Sequence, residues 1–355
     1  MKRIVLTGGG TAGHVSANQA LIPRLLEEGW DIHYLGTASG IERSLIEPIS
    51  GVTYHIIQSG KLRRYFDLKN FTDIFRVAAG FFQSASLLGR LRPQIVFAKG
   101  GFVSVPVVYG AALHRIPVIM HESDITPGLA NKLCKPFASC MCTTFPECAG
   151  RFGDKGVCTG SPLRHELFSG SRERGLALTG FDGKKPILMM TGGSLGAQTV
   201  NDCLRAALPA LLPDYDVLHL CGKGNLSKEH DHLAGYHQVE YLTTEMPDAF
   251  ACADLILSRA GSNTLTEILA LKKPALFIPY HSGRGDQILN ARSVEQRGLA
   301  KVLMQDKMTP ESLTAAIHEL DRDRETLLAA LRDLPNSDGT DAVLDQIHRY
   351  AKPEK

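Results

Sequence analysis

The chain has 355 residues, 44% of them apolar and 21% charged, a length that favours two globular cores and a composition that excludes extensive disorder. No apolar run approaches the roughly 20 residues needed to cross a bilayer, and the short apolar stretch after Met1-Lys2-Arg3 is too brief for a signal peptide, so a cytoplasmic chain is expected. The net charge of +2 is uneven: Lys61, Arg63, Arg64, Lys69, Arg76, Arg90 and Arg92 against Asp67 and Asp73 make residues 61–92 +5 and leave −3 elsewhere, which points to one surface for an anionic partner and excludes a nucleic-acid coat.

In chain order, the strand at 3–7 (RIVLT) runs into VLTGGGTAGH, where Gly8, Gly10 and Gly13 have G-x-G-x-x-G spacing. Such glycines let the backbone turn sharply and approach an oxyanion, and a following helix, expected over 15–28, offers unpaired N–H groups and a positive dipole end. That is a reason to bind a diphosphate, not a reason for redox chemistry. A strand at 31–36 (DIHYLG), a helix near Glu42, a strand at 94–100 (QIVFAKG), a helix over 105–113, a strand at 117–122 (PVIMHE) and a helix over 129–135 follow. Short apolar strands separated by helices predict a parallel sheet covered on both faces.

After the turn-rich stretch 158–168 (CTGSPLRHELF) the plan restarts. A strand at 187–190 ends in the glycine turn TGGSLGA (191–197) and opens a helix; YDVLHLCGKG (215–224), ADLILSRAGSNTLTEILALKKP (253–274) and ALFIPY (275–280) continue it. The expected fold is α/β: two Rossmann-like doubly wound domains facing across a cleft, joined near 161–164, with the site at the carboxyl ends of the strands.

A nicotinamide-binding half usually carries an acidic residue at the end of its second strand to hold the ribose. Here that strand ends in Gly36 and Thr37, and the second glycine turn lacks the full fingerprint, so an NAD-dependent oxidoreductase is the weaker alternative. SRAGSNTLTE (258–267) instead suggests a nucleotide site, with a tight turn at Gly261, Ser262 or Asn263 as a helix cap, and amides directed at a ligand. Glu267 has two readings, a ribose ligand or the end of a Thr264-x-x-Glu267 capping box. The eight cysteines include no C-x-x-C pair, and Cys140, Cys142 and Cys148 lack zinc-site spacing and accompanying histidines, so reduced thiols and no metal are expected.

GGGTAGHVSANQALIPRL, KGGFVSVPV, HESDITPGLANK, GSPLR, GGSLGA, SRAGSNTLTE and RGDQILNA occur in this order along nearly the whole chain. As a set they resemble the MurG family of N-acetylglucosaminyltransferases. The resemblance implies a GT-B fold: an acceptor and membrane-associating domain at 1–162, a UDP-sugar domain at 163–335, and a helix at 336–355 returning to the first domain. It implies inverting transfer of N-acetylglucosamine from UDP-N-acetylglucosamine to undecaprenyl-diphospho-muramoylpentapeptide (lipid I), without cofactor or metal. The setting it implies is peptidoglycan synthesis, and hence cell shape and division, at the cytoplasmic face of a bacterial membrane, with other cell-wall synthesis proteins as partners. Another UDP-sugar enzyme of the same fold is the nearer alternative.

By the same resemblance Ser262, Asn263, Thr264, Leu265 and Thr266 meet the donor's diphosphate and ribose, and Glu267 the ribose hydroxyls. Arg164 and Ser194 match donor-contacting positions, Gln287 one near the sugar, and Leu242 the place where backbone reads uracil. The loop Gly10, Thr11, Ala12, Gly13, with Asn131, falls on the acceptor side, against its diphosphate. Ala12 stands where many members have glycine, and Ser123 and Asp124 where many have an amide pair. Asp124 accepts a hydrogen bond or a proton but cannot donate as asparagine does.

An inverting transfer needs a general base within about 3 Å of the attacking hydroxyl. His14, Glu122 and Asp124 are the candidates. His14 titrates in the useful range and is the first choice, orienting a phosphate being its other role; Glu122 also suits holding loop backbone, as does His121. For the lipid, Phe71, Ile74, Phe75, Ala78, Phe81 and Phe82 recur at helical spacing beside the basic residues, an element suited to an anionic bilayer, with about half of these side chains expected in the domain core. A membrane-surface adaptor without catalysis would need only this patch and would leave the glycine-turn motifs without a purpose.

Overall fold

The structure, a computed structural model, describes residues 2–60, 69–193, 196–281, 285–334 and 338–353, with the side chains of 69–74 outside that description. The chain divides into two compact units, Met1–Arg164 with Asp338–Lys355, and His165–Ser337.

The first unit is built on β1 (Arg3–Thr7), β2 (Asp31–Gly36), β3 (Val52–Ile56), β4 (Ile95–Ala98), β5 (Val118–Glu122), β6 (Cys140–Thr143) and β7 (Gly156–Cys158). They form one sheet in the order β3-β2-β1-β4-β5-β6-β7, every neighbouring pair parallel. Helices cover both faces, so the central strands are apolar on both sides: Ile4, Val5 and Leu6, like Ile95 to Ala98, have no exposure. Each fully buried Leu, Ile or Phe contributes about 1.5–3 kcal/mol relative to an exposed one. Val343, Leu344 and Ile347 of the helix Thr340–Tyr350 join this core beside Ile4, Leu21 and Trp30. That helix is further tied to the first one, Ser16–Glu27, and the turn after it, by Arg24–Asp341 at 3.0 Å and His348–Glu28 at 2.6 Å.

The second unit contains β8 (Ile187–Thr191), β9 (Asp216–Leu220), β10 (Tyr236–Val239), β11 (Leu255–Ser258), β12 (Ala275–Phe277) and β13 (Lys301–Val302). Their order is β10-β9-β8-β11-β12-β13, again all parallel. In each unit the order reverses beside the first strand, between β1 and β4 and between β8 and β11. Doubly wound sheets bind ligands at the carboxyl ends of the strands at that switch point.

Candidate active site

In the first unit the switch point is filled by three turns. The loop after β1 leads through a 3₁₀ turn, Ala12–His14, into the helix Ser16–Glu27. Gly10 has φ +87°, and a Cβ there would come within 2.6 Å of the Phe102 ring. The loop after β4 holds Gly101 at φ +77°, where a Cβ would lie 2.3 Å from the Gly9 carbonyl oxygen and 3.0 Å from His14 Nδ1. Only glycine permits this approach. Ala12 has no positive φ, so its methyl costs no backbone strain.

His14 Nδ1 is 3.1 Å from both the Gly9 carbonyl and the Thr11 hydroxyl. A carbonyl only accepts, so Nδ1 of the neutral ring carries the proton and Nε2 is the basic nitrogen. Thr11 and Ala12 are exposed and Gly13 and His14 half-buried, at the tip of the loop.

The third turn follows β5. Glu122 is 6% exposed, and its carboxylate accepts from the amides of Asp124 (3.2 Å) and Gly128 (2.8 Å) and from Asn131 Nδ2 (2.9 Å). Burial pushes its pKa up against the lowering effect of these donors. Its acceptor capacity is thus directed at its own turn. Asn131, on the helix Leu129–Cys134, also donates to the His121 carbonyl at 3.2 Å and lies against Gly100. Asp124 is half-buried on the same turn.

Two side chains here had no sequence signal strong enough to single them out. Glu42, on the helix Ile41–Ile46, is completely buried and accepts from the Gly10 amide (3.1 Å), the Thr37 amide (3.1 Å) and the Thr37 hydroxyl (2.6 Å). Lys99, at the end of β4, is 2% exposed, with Nζ against His121 Nδ1 at 2.7 Å and bonded to the Ser123 hydroxyl. Burial pushes Lys99 down to about 8, opposed by the charges of Glu122 and Asp124.

In the second unit, β11 runs into the turn at Gly261, which caps the helix Ser262–Ala270. Ser262 and Asn263 are therefore its first helical residues rather than its cap. Thr264 and Glu267 lie inside it, so the capping-box reading of Glu267 does not apply. The first-turn amides point past Gly261, Leu265 and Thr266 are buried, and the Thr266 hydroxyl donates back to the Ser262 carbonyl at 2.7 Å. Asn263, Thr264 and Glu267 are half-buried. Leu242 is 7% exposed, and the half-buried Gln287 accepts from the Tyr280 amide at 2.9 Å. Arg259, also without an advance signal, spans the Ile278 carbonyl (3.1 Å) and Gln305 (2.6 Å) and lies over the Tyr280 ring. Gly196 has φ +76°, and a Cβ there would sit 2.2 Å from the Cys221 carbonyl oxygen, which brings the turns after β8 and β9 together. Ser194 lies outside the described residues. Arg164 is exposed and closes the first unit's main segment. Among the described residues no disulfide forms and no group of three or more His, Cys, Asp or Glu is arranged to hold a metal.

The helix Lys69–Leu91 exposes one face and buries another. Phe75 is 75% and Phe82 68% exposed, while Ser84 and Leu88 are fully buried and Gly80 abuts the Gln58 carbonyl. Phe81 is half-buried and Ala78 exposed. Lys61, Arg63 and Arg64, and the side chains of Phe71 and Ile74, lie outside the described residues. Among the described residues no helix is long and apolar enough to cross a membrane.

Two Rossmann-like units, each with glycine turns at its switch point, are what the GT-B expectation requires of each half, and comparison with known proteins supplies the class. The chain is 51% identical over 354 residues, 99% of each chain, to the UDP-N-acetylglucosamine--N-acetylmuramyl-(pentapeptide) pyrophosphoryl-undecaprenol N-acetylglucosamine transferase of Geobacillus thermodenitrificans. It is 50% identical over 353 residues, 99% of this chain and all of the other, to the protein of the same name from Clostridium kluyveri. The crystal structure of Acinetobacter baumannii MurG superposes with a TM-score of 0.79 at 25% identity, covering 98% of this chain and 100% of that one. Residues 4–143 match the glycosyltransferase family 28 N-terminal domain and residues 187–342 match its C-terminal domain, the first covering β1 to β6 and the second β8 to β13. The chain belongs to glycosyltransferase family 28.

Proposed function

We propose that this glycosyltransferase moves N-acetylglucosamine from UDP-N-acetylglucosamine to the muramoylpentapeptide of undecaprenyl-linked lipid I, with inversion at the anomeric carbon. The observation that carries this reading is identity of about half, over both full lengths, to relatives named for that transfer.

In this reading the second unit holds the donor. The first-turn amides of Ser262–Ala270 stabilise the negative charge that gathers on UDP as it leaves, and Arg164, the last residue of the first unit's main segment, is a further donor contact. Ser194 and Asn263 to Thr266 add donor contacts, Glu267 accepts from the ribose hydroxyls, Leu242 marks the backbone edge that reads uracil, and Gln287 lies near the sugar. The first unit receives the acceptor. Thr11, Ala12 and Gly13, with Asn131 behind them, lie against its diphosphate; Gly10 contributes shape, since its amide is given to Glu42. His14 Nε2 takes the proton of the attacking hydroxyl as its oxygen bonds to the anomeric carbon and the bond to UDP breaks. The Nδ1–H donated to Gly9 fixes the tautomer this requires. Glu122 holds the turn that presents Asp124 to the acceptor side.

The lipid keeps the reaction at a membrane surface. Phe75 and Phe82 present an apolar face, and Lys61, Arg63 and Arg64 add attraction to anionic headgroups, placing the enzyme peripherally on the cytoplasmic leaflet beside other cell-wall synthesis proteins. Calorimetric titration with UDP, UDP-N-acetylglucosamine and NAD tests the donor assignment. Binding of the two uridine nucleotides and not of NAD is expected; NAD binding without UDP binding would overturn it.

A further inference from the structure

We propose that Lys99 is a positioning residue for the transfer reaction, holding from beneath the turn that carries Ser123 and Asp124. The proposal rests on the reading above, in which His14 and Asp124 lie at the reacting centre.

Lysine is almost never fully buried unless paired. Lys99 is buried at the switch point of the first sheet, where Nζ meets His121 Nδ1 at 2.7 Å and donates to the Ser123 hydroxyl. His121 is itself fully buried, with Nε2 2.9 Å from the Gly160 carbonyl. That carbonyl only accepts, so Nε2 carries the proton and Nδ1 receives the ammonium's. Burial, and then the neighbouring ammonium, hold the His121 pKa well below its usual range and keep the ring neutral. The polarity of the chain from Lys99 through His121 to Gly160 is therefore set, and a second donor bond fixes Ser123.

The ionisable groups that face the ammonium are His121 at the end of β5, Glu122 and Asp124 flanking Ser123, and Cys142 of β6. The Glu122 oxygens already accept from two turn amides and Asn131. Burying an ammonium is costly, and a methionine of similar length would fill the same space at no charge cost. A charge kept in such a place, bonded to the residue next to Asp124, is explained by what it does for that turn rather than by packing.

The test uses the full chain with Lys99→Met, Ser123→Ala, the double variant, and Asp124→Asn and His14→Ala as site controls. Melting temperature, and kcat and KM for UDP-N-acetylglucosamine and lipid I, are measured from pH 6 to pH 9. Lys99→Met should still melt cooperatively and lose kcat by about 10- to 100-fold, the cost of a small misplacement of reacting groups, with donor KM nearly unchanged. Wild-type kcat should fall as pH rises through about 8, and Lys99→Met should lack that limb. The double variant should be no worse than Lys99→Met, because both changes break one contact.

A Lys99→Met enzyme with wild-type kcat and pH profile, or losses in the two single variants that multiply in the double, would overturn the proposal. Should Lys99→Met fail to fold, Ser123→Ala decides: wild-type kcat in that variant overturns it. Full activity in both Asp124→Asn and His14→Ala would instead bring down the reading of the site itself.

Discussion

Glu42 accepts the amide hydrogen of Gly10 at 3.1 Å from a position with no solvent exposure. A glycine-rich fingerprint normally offers such amides to a pyrophosphate. Here a carboxylate from the protein takes one of them, and a Cβ at Gly9 would lie 2.5 Å from its Cδ. The loop is braced from below, so the spacing that suggests a dinucleotide site belongs to a loop with a different task.

Glu42→Ala leaves three donors without their acceptor, the Gly10 and Thr37 amides and the Thr37 hydroxyl. Leaving a buried donor unsatisfied costs about 1–3 kcal/mol, so a loss of about 2–4 kcal/mol is expected because part of the site is reached by water. Urea denaturation measures it. Wild-type stability in Glu42→Ala would show that the loop does not depend on this brace.

β2 ends without an acidic residue, and the carboxylate that approaches this loop, Glu42 of the next helix, is occupied by protein donors. A sequence shows that Gly36 and Thr37 end the strand, but not that the side chain at position 42 turns back under Gly9 and Gly10. Lys99 was hidden for a similar reason. A lysine before two glycines reads as a solvated turn, and only the packing of β4 against β5 places it beside His121 and Ser123. Strands whose two faces are apolar, such as β1, β4, β8 and β11, were legible because burial on both faces writes a continuous apolar run. The edge strands β3, β7, β10 and β13 were not, since nearly all their residues are half-buried or exposed and some of the strands are very short. CMCT of β6 is fully buried but resembles scattered cysteines more than a strand.

Glu267 separates recognition from folding. Gly261 caps the helix, so Glu267→Gln removes no cap, and thermal stability should stay within about 0.5 kcal/mol of wild type. If the carboxylate grips the ribose, KM for UDP-N-acetylglucosamine should rise by roughly 10-fold or more, because charge-assisted hydrogen bonds are lost. Initial-rate kinetics with a melting curve decide the matter. Early melting with an unchanged donor KM would assign Glu267 a structural role.

Lys99 also predicts a pH dependence of stability. Its folded pKa, about 8, lies below the ordinary lysine value of 10.5, so the unfolded chain binds more protons between those values. The penalty for burying the ammonium is fully present below about pH 8 and is relieved as pH rises toward 10.5. From that shift the relief is about 3 kcal/mol. Urea midpoints across this window should show wild type gaining stability relative to Lys99→Met as pH rises, by about that amount. A gap that stays constant with pH would mean that Lys99 is not buried as a titrating group.

Membrane attachment divides into an apolar and an electrostatic part. Phe75→Ser with Phe82→Ser removes two exposed rings and should weaken binding to anionic vesicles by roughly 10-fold or more at any salt concentration. Replacing Lys61, Arg63 and Arg64 with serine should cost roughly a hundredfold at low salt and little at high salt, where charges are screened. Co-sedimentation across a salt series separates the two, and activity on a water-soluble acceptor should survive both sets of changes. Equal vesicle binding by wild type and both variants would place the attachment surface elsewhere.

Sugar transfer to the lipid-linked acceptor is read most directly from turnover of UDP-N-acetylglucosamine, labelled in the sugar, with lipid I and the purified full chain in the presence of a chelator. One UDP should be released for each labelled sugar joined to the acceptor, through a β linkage. His14→Ala should lower kcat by about 10²–10⁴-fold, the usual contribution of a general base. UDP release without labelled lipid product, or an α linkage, would rule out inverting transfer to lipid I, and an undiminished rate in His14→Ala would rule out His14 as the base.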